Sequence, residues 1–201
     1  MTIEFIGARG GHGTTTVALA AAATLATRGP TRISASDRRS MCAHAGIAAD
    51  GLPIPLAENL ELAADGDRGD VYDAGTMHAY LTEIPFDDEA PTGAQKAPGS
   101  LRIGILRGPD YQGLRTLCEH ADADLDGLVL VSEAGRALDA RDVEHVSGCS
   151  VVAIIDHTPV VARTVDAGLL MHRVDRLREF AQLRAWIARI DVVETSCTAP
   201  A

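Results

Sequence analysis

The sequence predicts an α/β fold: a doubly wound, mainly parallel sheet with helices on both faces. Two observations carry this. Short apolar runs alternate with longer segments of helical periodicity, the order expected of a parallel sheet covered by helices. The runs are also rich in Val, Ile and Leu instead of alternating with polar residues, as strands buried on both faces should be.

In chain order, strands are expected at residues 3–6, 31–35, 70–73, 101–106, 127–131 and 151–155. Helices are expected at 14–27, 39–45, 111–120, 139–146, 160–167 and 175–190. The stretch PFDDEAPTGAQKAPGS, residues 85–100, carries three Pro and two Gly with few apolar residues, and is expected to be a flexible loop inside the domain. There is no internal repeat. A chain of 201 residues supports one well-buried core, expected over 1–190, with 191–201 as a C-terminal tail.

Composition narrows the function classes. No uninterrupted apolar run is long enough to cross a bilayer. A formal net charge of -10 argues against an extended nucleic-acid-binding face, which needs clustered Lys and Arg, although a local basic patch stays open. Lys96 is the only lysine, so Arg carries nearly all the positive charge. Cys42, Cys118, Cys149 and Cys197 stand far apart without a CxxC pair, which suggests neither a zinc site nor a disulfide framework and suits a reducing cytoplasm. Residues 14–27 are uncharged and rich in Ala and Leu, as the apolar part of a secretory signal would be. Against that, IEFIG upstream reads as a strand and Glu4 spoils a basic start.

The most informative stretch is IEFIGARGGHGTTTVALA, where a glycine turn leads from the first strand straight into a helix. Gly7, Gly10, Gly11 and Gly13 allow successive backbone N–H groups to curve around an anion, and the helix N-terminus adds its partial positive charge. The lysine that such a phosphate loop usually carries after its last glycine is replaced by Thr14.

RGGHGTTT resembles the deviant Walker A loop of the ParA/MinD family of P-loop ATPases, usually written KGGxGKTT. The resemblance implies ATP and Mg²⁺ as ligands, held around Gly10, Gly11, His12, Gly13, Thr14, Thr15 and Thr16, with Thr15 as the hydroxyl that ligates Mg²⁺. Arg9 stands where the family's signature lysine reaches across a nucleotide-sandwich dimer, a role suited to a guanidinium because it pairs with phosphate bidentately. The second lysine has no substitute in the sequence. Losing one charge-assisted hydrogen bond should cost about 1.5–3 kcal/mol of binding, and losing its charge in the transition state implies slow hydrolysis or none. The alternative is a glycine loop that packs tightly and binds nothing.

Asp37 follows the second expected strand, on the sheet edge where ligands of such folds bind. The resemblance places an aspartate there near the γ-phosphate; Asp37 also suits the cap of the following helix. Asp73, in DVYDAGT, resembles the aspartate of a Walker B strand that holds Mg²⁺ through water, with a turn aspartate as the alternative. LRIGILRGPDYQGLRTL, GLVLVSEAGRALDARDVEHV and VVAIIDHTPVVARTVDAGLL follow the strand-then-helix order of the actinobacterial CpaE-like branch, so the resemblance spans residues 1 to about 172. That branch commonly carries Thr at the second lysine position.

On the last expected helix, Val174, Leu177, Phe180, Ala181, Leu183, Trp186, Ile187 and Ile190 share one broad face. Packing on the sheet is the ordinary reading. The family offers peripheral membrane contact through a terminal amphipathic helix as the alternative, opposed here by Asp191 and Glu194. His12 is expected to face solvent, and His44, His145 and His157 make no metal-ligand spacing.

Two functions follow. The first is a nucleotide-dependent homodimer that positions a cargo through a protein partner. The second is a degenerate scaffold on the same fold, without turnover. A partition protein that coats DNA is a third idea, opposed by the acidic balance.

Overall fold

Eight strands form one sheet in a computed structural model, which describes residues 2–8, 10–35, 38–48, 54–63, 77–83, 99–120 and 125–194, with the backbone alone at 77–83, 120 and 191–194. In chain order the elements are β1 (Thr2–Gly7), α1 (Thr14–Ala26), β2 (Thr31–Ala35), α2 (Arg38–Ala45), β3 (Ile54–Ala57), β4 (Leu60–Leu62), β5 (Met77–Glu83), β6 (Ser100–Arg107) and α3 (Tyr111–His120). There follow β7 (Gly127–Ser132), α4 (Ala140–Ser147), β8 (Val151–Asp156), α5 (Pro159–Asp166), α6 (Leu170–Arg173), a 3-10 turn (Arg178–Phe180) and α7 (Ala181–Glu194). The sheet order is β3-β4-β2-β5-β1-β6-β7-β8. All pairings are parallel except the β3–β4 hairpin at one edge. From central β1 the chain winds first toward β2, then back through β6, β7 and β8, which is the doubly wound plan the sequence predicts.

Side chains alternate between two apolar layers. Ile103, Ile105, Val129 and Val131 enter the larger layer, with α1, α2 and α5 to α7. Leu106, Leu128 and Leu130 enter the smaller one, with Leu114 and Leu117 of α3 and Val143 of α4. This period of two on both faces explains why the strands read as unbroken apolar runs. Helix α1 is buried almost all round; Val17, Ala18, Leu19, Ala21 and Leu25 are at most 1% exposed. The segment that resembles a secretory apolar region is thus the central helix of the core.

One charged pair lies inside this frame. Glu4 of β1 and Arg102 of β6 are register neighbours, and Arg102 Nε donates to Glu4 Oε2 at 2.8 Å. Asp126 accepts the Arg102 backbone N–H at 2.6 Å.

Three differences from the expected elements stand out. The β3–β4 hairpin is additional; Pro55 sits in its edge strand β3, where a missing N–H is tolerated. Strand β5 is additional too, and the expected strand at 70–73 lies outside the described residues, as does most of the expected loop at 85–100. The expected helix at 175–190 is broken: the chain turns at 174–176, passes through extended Leu177, makes the 3-10 turn and only then enters α7, which continues to Glu194, into the expected tail.

Tertiary contacts explain that break. Arg184 Nη1 donates to the carbonyls of Val174 and Leu177 at 2.6 and 2.9 Å, capping the chain where it leaves helical geometry. Thr158, which caps α5, donates its hydroxyl to Glu179 Oε1 at 3.0 Å. Phe180, Leu183 and Ile187 are fully buried against the sheet. The Gln182 amide oxygen accepts from Ile154 N–H at 3.0 Å, satisfying a donor of edge strand β8. Phe180, Leu183 and Ile187 thus pack on the sheet with Trp186 and Ile190 partly buried beside them, while Ala181 is exposed. No helix among the described residues is long and apolar enough to cross a membrane.

Candidate functional site

Because β1 is central and parallel to its neighbours, its carboxyl end opens onto the edge where the ends of β2, β5, β6, β7 and β8 gather. The glycine loop leaves from there. Ala8 N–H donates to Ile105 O at 3.2 Å, carrying the β1–β6 ladder one step past the strand. Gly11 and Gly13 then adopt φ of +80° and +84°, a left-handed backbone that only glycine enters at little cost. A side chain at Gly10 or Gly11 would meet nothing within 4 Å among the described residues.

Gly13 is the N-cap of α1 and supplies no side-chain hydrogen bond to it. The first intrahelical bond runs from Val17 N–H to Gly13 O at 2.9 Å. The N–H groups of Thr14, Thr15 and Thr16 therefore have no carbonyl partner within the helix, and no acidic side chain lies in the first turn. Such an end receives an anion. Thr14 and Thr15 are buried, at 2% and 6% exposure.

A cavity of about 320 Å³ adjoins this end, walled by α1 residues 14–17, Ser40 and His44 of α2, Val161 and Val165 of α5, and Phe180. Arg107, the last residue of β6, also lines it. Its Nη1 donates to Gly11 O at 3.2 Å, its Nε to Glu133 Oε1 at 2.8 Å, and its Nη2 lies 3.3 Å from His157 Nε2. Arg136 also pairs with Glu133 through Oε2. Hydrogen bonds from Arg136 and Arg107 hold the Glu133 carboxyl below the usual carboxylate range.

His12 departs from expectation. It is 5% exposed instead of solvent-facing, and its Nδ1 accepts the Arg107 backbone N–H at 3.5 Å. Gly113 makes room for the ring: a Cβ there would lie 3.1 Å from His12 Cε1.

The structure thus gathers Gly10, Gly11, His12, Gly13, Thr14, Thr15 and Thr16 on one loop and helix end. Arg9, Asp37 and Asp73 lie outside the described residues. Strand β2 ends at Ala35 and α2 begins at Arg38. The strand beside β1 is β5, whose last residue, Glu83, is in register with Gly7.

Sequence reasoning missed strand β5, although MHAYLTE alternates as a strand should. It also missed Arg107, for which the signal was a lone cation closing an apolar strand, in GILRGPD. Among the described residues, no cluster of three or more His, Cys, Asp and Glu forms a metal site.

A parallel sheet with a glycine loop feeding an uncapped helix end is the arrangement of phosphate-binding α/β folds. Within that class the chain has the fold of the ParA/MinD ATPases. Septum site-determining protein MinD from Pyrococcus horikoshii, complexed with Mg-ADP, superposes with TM-score 0.70 at 16% identity, covering 100% of both chains. A chain of the MinC:MinD cell division protein complex from Aquifex aeolicus gives TM-score 0.71 at 12% identity, covering 100% of this chain and 98% of that one. A ParA family ATPase from Chlorobium tepidum gives 0.65 at 10% identity, covering 94% and 98%. No protein-family model matches the sequence, and no curated protein matches it.

Proposed function

We propose that the protein is a nucleotide-binding switch of the ParA/MinD type, of the CpaE-like branch, which binds ATP with Mg²⁺, pairs with a second copy and positions a cellular cargo through a protein partner. The observation that carries this reading is the glycine loop ending in an uncapped α1 beside a 320 Å³ cavity. Solved structures of the same fold include a complex with Mg-ADP and a complex with a partner protein, and both support the reading.

In this reading the N–H groups of the loop and of Thr14 to Thr16 receive the phosphates, the Thr15 hydroxyl would ligate Mg²⁺, and Asp73 would hold it through water. The metal would supply charge stabilisation to the phosphates. Arg9 reaches the partner subunit's phosphates. Asp37 orients water, and hydrolysis is slow or absent, because Thr14 offers no charge to the transition state. Adenine over guanine rests on resemblance.

A second reading, a scaffold with the fold and no nucleotide, is favoured by one feature: Thr14, at 2% exposure, puts a buried neutral side chain where phosphate loops carry lysine. Isothermal titration with a nonhydrolysable ATP analogue and Mg²⁺, alongside light scattering, separates the two. Micromolar binding with a rise from monomer to dimer is expected; no heat at millimolar ligand with unchanged mass would leave the scaffold.

A further inference from the structure

We propose that Arg107 supplies the phosphate-binding charge that the loop itself lacks, delivered from the neighbouring strand β6 instead of from helix α1. This rests on the nucleotide-binding reading above and deepens it.

The geometry argues for it in three steps. First, Arg107 is the one Lys or Arg among the described residues lining the cavity at the loop. Its guanidinium touches the loop backbone directly, at Gly11 O. Second, Glu133 is shared between Arg107 and Arg136, so among the described residues two guanidinium groups face that one carboxylate, and Asp166 is the one acidic residue lining the cavity itself. Third, donors remain. A guanidinium has five N–H groups; Glu133, Gly11 and His157 engage three among the described residues, which leaves two, the number a bidentate phosphate contact uses.

The same contacts prepay the cost of ordering a long side chain. Glu133 holds the Nε side, and the His157 ring holds Nη2 when its Nε2 is the acceptor. The arginine is thus positioned before ligand arrives. Its residual exposure, 34% of the side chain, leaves it accessible from the open side of the loop.

The test is a titration of the full chain with β,γ-imido-ATP and Mg²⁺, comparing wild type, Arg107→Ala, Arg107→Lys, Thr14→Lys and the double variant Arg107→Ala/Thr14→Lys, with thermal midpoints alongside. Arg107→Ala should bind about ten- to a hundredfold more weakly, the range for one lost charge-assisted contact, and Arg107→Lys should recover part of that. The double variant is the decisive arm, since a lysine at position 14 restores charge without repairing any contact of Arg107. Recovery to within a few-fold of wild type is expected. A wild type that binds while Arg107→Ala binds equally well overturns the inference and leaves the nucleotide reading standing. Loss in Arg107→Ala that Thr14→Lys fails to restore also overturns it, and makes Arg107 a support for loop shape. A wild type that does not bind removes the nucleotide reading and this inference with it.

Discussion

Gly46 and Gly168 meet backbone to backbone. A Cβ on Gly46 would lie 2.3 Å from Gly168 O, and one on Gly168 would lie 2.6 Å from Gly46 Cα. Both have left-handed φ, of +73° and +64°. The contact joins the end of α2 to the turn between α5 and α6, and α2 and α5 wall the cavity at the loop. Cavity width is therefore set partly by two absent side chains.

Replacing Gly46 by Ala should thus destabilise the fold by about 3 kcal/mol, combining left-handed strain with overpacking against backbone that cannot rotate away. Gly148→Ala is the control. Its φ is +68° but its Cβ would meet nothing within 4 Å, so only the conformational cost, about 1 kcal/mol, should appear. Urea unfolding of both variants checks this; equal losses would mean that the close approach carries no energy.

The buried pair Glu4–Arg102 makes a second test. Their side chains are 16% and 7% exposed, and they face each other across β1 and β6. Arg102→Ala should cost about 3 kcal/mol, since it strands the Glu4 carboxylate away from full solvation. Glu4→Gln/Arg102→Met removes both charges and should recover much of the loss. A double variant no better than the single would show that packing, not charge, sets the cost.

How far the sequence carried depended on which forces act locally. Strands β6, β7 and β8 were legible because burial on both faces leaves continuous apolar runs, as in IGIL and GLVLV, whereas β2, TRISA, alternates buried and partly exposed residues. Helix α3 was legible to the residue, Tyr111–His120, from its apolar stripe. The loop was legible because glycine spacing is itself a backbone constraint. The hairpin at Ile54–Leu62 was not, for it holds two very short strands and Pro55 obscures the first. The break before α7 was hidden as well, because the contacts that impose it, Arg184 with Val174 and Thr158 with Glu179, follow from the folded chain. His12 and Arg107 belong to that class. They meet across 95 residues of sequence, and no local pattern records it.

The cysteines should be slow to react. Burial pushes the thiols of Cys42, Cys118 and Cys149 up from their ordinary range, and Arg38 only partly opposes this at Cys42. A raised value means less thiolate at a given pH, and thiolate is the nucleophile. In a Cys197→Ser background, alkylation by iodoacetamide at pH 7.5 should be markedly slower in the native protein than in denaturant at all three positions. Modification at the rate of an unfolded peptide would contradict it.

Acid should weaken the Glu133 cluster. Hydrogen bonds from Arg136 and Arg107 lower its carboxyl in the folded state relative to the unfolded chain. A depressed folded value means the contribution is fully present above the unfolded carboxylate range, near pH 4.3, and is lost as pH falls through the lower folded value. The stability difference between wild type and Glu133→Gln should therefore be constant from about pH 6 to 8 and shrink below about pH 4, once protons compete with the guanidiniums. The cluster is partly exposed, so added salt should reduce the difference at neutral pH as well. Urea midpoints of the two proteins across that pH series measure this directly. Because Glu133 binds Arg107 as well as Arg136, a difference that grows on acidification would mean that the carboxylate strains the cluster, and that Arg107 reaches Gly11 without its help.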